Sequence, residues 1–178
     1  FDVIYENQPA GAGSGTALGQ LYTGSWSSEE SASSSTPQYG PYFSAVAESD
    51  NVHFVFLKKT TYDIVYRKRT YGGAPAWGSE TTVQSSTTST SAPALSISRA
   101  NGDLYCFWAG YPTTNHIYYK KYSGGSWDAS PTDWINETGL TNNDRLASFY
   151  SSYGGAIGLV YMNRTATPYQ VKFATIII

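Results

Sequence analysis

The side chains able to do chemistry in this 178-residue chain are few and scattered: two histidines, one cysteine and the arginines Arg67, Arg69, Arg99, Arg145 and Arg164. Neither His53 nor His116 has a second nitrogen, a thiolate or a carboxylate at ligand spacing, so no metal site is expected. His53 falls within a strand pattern and is expected to pack, whereas His116 closes a loop. Cys106 lies in an apolar run, where a buried, inert thiol is expected; alone it makes neither an intrachain disulfide nor a multi-thiolate site. Arg67 and Arg69 share one strand face, an arrangement expected on a solvated surface. The chain has no Gly-x-Ser-x-Gly nucleophile elbow, no phosphate loop and no Asp-rich calcium loop. No catalytic residue is assigned and no cofactor is expected. The best candidate ligand set lies in loops: Tyr62, Asp63, Tyr111, Asn115, His116, Asp144 and Arg145. Flat aromatic faces beside Asn, Asp and Arg are what a sugar site needs, though the same residue types also build ordinary turns.

The elements that would hold these loops are β-strands. Tyr (16) and Gly (17) are abundant, and charged residues make up 13%, about half the usual share of roughly 25%. No apolar pattern of helical period is sustained over three turns. An internal period replaces it. Tyr22-Thr-Gly-Ser-Trp26, Tyr71-Gly-Gly-Ala-Pro-Ala-Trp77 and Tyr122-Ser-Gly-Gly-Ser-Trp127 place their indoles 51 and 50 residues apart. The runs Val52–Leu57, Leu104–Trp108 and Ile157–Met162 recur at 52 and 53, and Ile64–Tyr66, Ile117–Tyr119 and Val171–Phe173 at 53 and 54.

Within one unit, strands are expected near Tyr42–Ala47, Val52–Lys58, Ile64–Tyr71 and Glu80–Gln84, with a Gly-Gly turn between the last two. The next unit repeats them at Ala94–Ser98, Leu104–Trp108, Ile117–Tyr122 and Trp134–Glu137, the first hairpin turning on Asn101-Gly102. Flanking strands are expected at Asp2–Glu6 and Ala17–Tyr22, and at Leu146–Ser151, 157–162 and Val171–Ile178. Val52, Phe54 and Phe56 alternate with His53, Val55 and Leu57, and both sets are largely apolar, which suits a sheet covered on two faces. The fold class is all-β: blades of a β-propeller, four antiparallel strands each and about three and a half in this chain, with a β-sandwich as the alternative. The approximate units are 1–38, 39–91, 92–144 and 145–178 of a single all-β repeat domain. Units of this kind need neighbours on both faces, so the domain is expected to be part of a larger propeller or to assemble with other chains.

The Tyr–glycine–Trp turns resemble the sialidase-like, or BNR/Asp-box, propeller repeat, which carries Ser/Thr-x-Asp-x-Gly-x-Thr-Trp between its third and fourth strands. The glycines and Trp26, Trp77 and Trp127 match; the aspartate is absent from all three turns. The resemblance implies that these indoles stabilise the turn by burying apolar area against the blade. It also implies a comparison with family sialidases, which use three arginines to clamp a carboxylate, a Tyr–Glu nucleophile pair and an acid/base aspartate. No Phe-Arg-Ile-Pro-like segment accompanies an arginine here.

Net charge of −2 argues against a basic nucleic-acid face, and no apolar run approaches the roughly 20 residues needed to span a bilayer. A start at Phe1 without a leader pattern reads as a processed product or fragment. Asn136-Glu-Thr and Asn163-Arg-Thr are N-glycan acceptor triplets, which with the low charge fit an extracellular or cell-surface location. The functional expectation is a propeller module for adhesion, glycan binding or surface scaffolding. Its expected partners are a glycan or surface protein and further blades from the same precursor or another chain, with no nucleic acid. A sialidase-like exo-glycosidase, with part of its active site outside this chain, and a purely structural filament or surface-layer subunit are the alternatives.

Overall fold

A computed structural model describes residues 2–7, 16–71 and 76–178. All regular structure among them is β, in four antiparallel sheets that follow one another along the chain. The first holds β1 (Asp2–Asn7), β2 (Thr16–Leu21) and β3 (Glu30–Ser31) in that order. The second runs β4 (Phe43–Glu48), β5 (Asn51–Leu57), β6 (Ile64–Thr70), with β7 (Ala76–Trp77) and β8 (Thr81–Gln84) sharing the outer edge of β6. The third repeats this plan: β9 (Ala94–Ile97), β10 (Leu104–Ala109), β11 (His116–Ser123), then β12 (Ser126–Trp127) and β13 (Thr132–Asn136) on the edge of β11. The fourth holds β14 (Ala147–Ser148), β15 (Ala156–Asn163) and β16 (Gln170–Ile177). These sheets do not close into a barrel or ring among the described residues. No helix there is long and apolar enough to cross a membrane.

The expected strands lie within a few residues of the observed ones. What the sequence pattern does not show is the split outer edge, because β7 and β12 are only two residues each. The repeat extends to irregularities: β8 slips against β6 between Ile64 and Val65, and β13 slips against β11 between Ile117 and Tyr118. Gly124 and Gly125, with φ of 60° and 92°, turn the chain from β11 into β12 in a conformation that side chains with a Cβ resist. The corresponding Gly-Gly turn before Trp77 lies outside the described residues.

Alternation along each strand sends side chains to opposite faces, and an apolar layer fills the space between each successive pair of sheets. Ala17 and Ala32 of the first sheet meet Phe54, Phe56 and Val65 of the second. Val46, Val55, Leu57, Ile64 and Tyr66 leave the other face of that sheet to meet Leu95, Ile97, Leu104, Cys106 and Trp108. Tyr105, Phe107 and Ile117 then meet Ile157, Leu159 and Tyr161 of the fourth. The two middle sheets are therefore covered on both faces, as their doubly apolar strands require.

The first strands β4, β9 and β14 lie side by side. The amide of Leu95 donates to Ser44 Oγ (3.1 Å) and Ser148 Oγ donates to the Leu95 carbonyl (2.9 Å). A parallel bridge joins Ile97 to Ser151, flanked by Ile97 N–H to the Tyr150 carbonyl (3.2 Å) and Ser152 N–H to the Ile97 carbonyl (2.8 Å).

Candidate functional site

The loops joining the second and third strands of each sheet share one end with the connections between sheets, and hydrogen bonds lace the two together. Tyr62 sits at φ 55° and Asn115 at φ 67°, equivalent positions one repeat apart. The Tyr62 carbonyl accepts the amide of Thr87 (2.9 Å), and Asn115 donates its amide to the Leu140 carbonyl (3.0 Å). Asp63 accepts the Ser86 amide (2.8 Å) and the Thr61 hydroxyl (2.6 Å), while Asn115 Oδ1 accepts the Gly139 amide (3.2 Å). These polar groups hold left-handed turns against the neighbouring connection.

Asp144 is buried, accepts the Thr141 amide (2.6 Å) and forms an ion pair with Arg164. His116 Nδ1 donates to the Asp133 carboxylate (2.7 Å) and its ring stacks on Tyr118, with centroids 5.9 Å apart. The carbonyl of Tyr111 accepts Trp108 Nε1 (2.8 Å), and its side chain packs against the layer between the second and third sheets.

Arg145 is held differently. Its guanidinium lies 4.3 Å from the centre of the Tyr42 ring, and Nη1 donates to the Thr90 carbonyl (3.1 Å). Tyr42 packs against the same apolar layer as Tyr111. Tyr42, Tyr111 and Arg145 thus gather at the loop end of one inter-sheet layer, presenting aromatic faces and a guanidinium. Tyr62, Asp63, Asn115, His116 and Asp144 are each engaged by their own neighbouring loop or strand. Tyr42 was missed on sequence. The signal was its place immediately before β4, matching that of Arg145 just before β14 in the repeat register.

Arg67 and Arg69 correct the expectation of a solvated face: both are buried between the first two sheets. Arg67 Nε donates to the Gly78 carbonyl (2.8 Å) and Nη1 to the Ser31 carbonyl (3.3 Å). Arg69 donates from Nε and Nη2 to the two oxygens of Glu30 at 2.7 and 2.6 Å. Their face of β6 packs on the first sheet, so each charge is met by polar partners from that sheet or its own edge. Hydrogen bonding from Arg69 holds the Glu30 carboxyl below the usual range. Arg99 donates to Ser151 Oγ (2.8 Å).

His53 is buried, with Nδ1 sharing a hydrogen bond with the Tyr66 hydroxyl (2.8 Å) and Nε2 facing Glu48 (3.1 Å). Burial lowers its pKa despite Glu48. Cys106 is free and fully buried, and burial pushes its thiol up and out of nucleophilic range.

The three turn indoles differ in burial. Trp77 packs on the layer between the first two sheets, and Trp127 lies 5.5 Å from Tyr66 of the preceding sheet. Trp26 is 51% exposed, against the expectation of a buried ring. Trp77 and Trp127 each lean on the sheet before their own; among the described residues no sheet precedes that of Trp26. Of the acceptor asparagines, Asn136 is exposed, whereas Asn163 is buried with Nδ2 bonded to Glu137 and to the Thr138 carbonyl (3.0 Å).

A cavity of about 660 Å³ opens at the opposite end of the sheets from the candidate loops, between β1 and β4. Its walls include Tyr22, Tyr71 and the turn Ser49–Asn51.

No family model matches the chain. Over 100 residues it is 32% identical to the serine-rich adhesin for platelets of Staphylococcus aureus strain USA300. The same protein from strains NCTC 8325 / PS 47 and N315 matches equally. The match takes in 56% of this chain and 4% of the adhesin, so the chain is similar to a small part of a much longer surface protein.

Proposed function

We propose that this chain is an extracellular or cell-surface module for adhesion, with its four sheets serving as successive blades of a β-propeller. The similarity to a staphylococcal adhesin is the observation that carries the adhesive reading. The blade reading is supported by the row of first strands β4, β9 and β14 and by an apolar layer between each pair of sheets. A two-sheet sandwich has one such layer; this chain has three. The units 1–38, 39–91, 92–144 and 145–178 are then one repeat domain of degenerate BNR/Asp-box type. Further blades from the same precursor or another chain are its structural partners.

The ligand class we assign is a glycan, bound where Arg145, Tyr42 and Tyr111 meet. An aromatic face takes the apolar side of a sugar ring while the guanidinium takes hydroxyl or carboxylate oxygens. A glycan array probed with the full chain is the test. Retention of a defined glycan subset, weakened at least tenfold by Arg145→Ala with an unchanged circular dichroism spectrum, is the expected result. No retained glycan, together with no attachment of the chain to cell surfaces, overturns the reading. For the exo-glycosidase alternative, Arg67 and Arg69 are already committed between sheets, and turnover of a fluorogenic sialoside is the discriminating assay.

A further inference from the structure

We infer that the slot between β1 and β4 is an acceptor groove for an extended strand, which pairs with the free edge of β1 and continues the row formed by β4, β9 and β14. The correspondence between sheets defines the slot. β2 runs into the Tyr22–Trp26 turn as β6 runs toward Trp77 and β11 into the Tyr122–Trp127 turn. Its hairpin partner β1 therefore corresponds to β5 and β10. Each of those lies between two strands, β4 and β6 or β9 and β11, whereas β1 pairs with β2 alone among the described residues.

The facing wall bears the same mark. Leu95 and Ile97, opposite Cys106 and Leu104 on β10, turn toward the second sheet and are 1% and 5% exposed. The equivalent residues of the second sheet are Ala45 and Ala47, opposite Phe54 and Val52 on β5. They turn toward the first sheet, and both are exposed. The cavity of about 660 Å³ occupies this place, walled by Ile4 from β1 and by Phe43, Ala45 and Ala47 from β4. With a rise of ~3.3 Å, a strand spacing of ~4.8 Å and a sheet spacing of ~10 Å, each strand residue fills about 160 Å³. The cavity therefore holds about four residues, the length of β9.

The occupant's chemistry follows from its neighbours. It pairs antiparallel to β1, as β4 does to β5, and runs alongside β4, as β14 runs parallel to β9. Small or hydroxyl side chains alternate with aliphatic ones, as in Ala94-Leu95-Ser96-Ile97. Main-chain hydrogen bonds to β1 supply the binding, and the alternate side chains set the register. This inference rests on the repeat of strand positions and not on glycan binding, so a blank glycan array leaves it standing.

The test adds a synthetic peptide of residues 92–99 to the full chain and follows amide hydrogen exchange. Exchange at the β1 amides is expected to slow at least tenfold at saturating peptide. The same peptide with Ser96→Pro, and the Ala45→Arg chain, should show no slowing, the latter with an unchanged melting temperature because Ala45 is exposed. Unaltered β1 exchange, or equal protection by the proline peptide, overturns the inference. So does protection by simple sugars in place of peptide, which would make the slot a small-molecule pocket.

Discussion

Arg69 and Glu30 meet in a fork across the gap between the second and first sheets, Nε to Oε2 at 2.7 Å and Nη2 to Oε1 at 2.6 Å. Arg69 is buried, and the Glu30 side chain is 34% exposed. Removing one partner of a fully buried pair costs about 3–5 kcal/mol. Solvent access to Glu30 reduces this, so Glu30→Gln is expected to cost about 2 kcal/mol, a drop of roughly 4–8 °C in melting temperature. A double-mutant cycle with Arg69→Met, followed by urea denaturation, should return a favourable coupling.

Stability should fall in acid. Burial keeps His53 below its ordinary value near 6.5, so the fold favours its neutral form. That contribution is in place above about pH 6.5 and is lost as pH falls through the folded value. Glu30 and Glu137 lie below the usual carboxylate range, held by Arg69 and Lys172 respectively. Glu80 lies low despite its burial, because Ser34 and Ser35 donate three hydrogen bonds of 2.8 Å to it. These contributions are lost at still lower pH, as each carboxylate protonates. Melting temperature should therefore be flat above about pH 7 and decline progressively below it. His53→Gln should remove the earliest part of the decline.

Equivalent positions should respond oppositely. Ile117, opposite Ala109, is fully buried beneath the fourth sheet. Val171, opposite Met162, holds the same place on β16 and is 72% exposed, as Phe173 is 57% exposed beside it. Ile117→Ser is expected to cost about 3 kcal/mol or more, and Val171→Ser less than about 1 kcal/mol, measured by thermal unfolding. The paired change Val171→Ser and Phe173→Ser should also lower binding of a hydrophobic dye, since these residues expose apolar surface on the outer face of the fourth sheet.

Glycan attachment should discriminate between the two acceptor triplets. Asn136 is exposed, whereas Asn163 Nδ2 is committed to Glu137 and Thr138. After secretion from a eukaryotic host, peptide mass spectrometry is expected to find sugar on Asn136 and an unmodified Asn163.

Strand positions were legible because side-chain alternation and the recurring Tyr–glycine–Trp turn are local signals. The burial of Arg67 and Arg69 was not. A charged pair on one strand face reads as solvated unless its partner is known, and Glu30 stands 39 residues upstream of Arg69 in a two-residue strand. Trp26 shared its turn with Trp77 and Trp127, yet a ring's burial is decided by the sheet before it, which no local pattern reports. For the loop residues, composition indicated hydrogen-bonding capacity. Only the fold separates Asp144, spent on Thr141 and Arg164, from Arg145 lying over Tyr42.

Because every apolar layer is shared by just two adjacent sheets, cohesion here is a nearest-neighbour property. Peeling the fourth sheet away sacrifices one seam and leaves the other two intact. Under a pulling force the chain would come apart in instalments from its flanks, each rupture dissipating work while the middle pair keeps its grip. A tether built this way lengthens before it lets go.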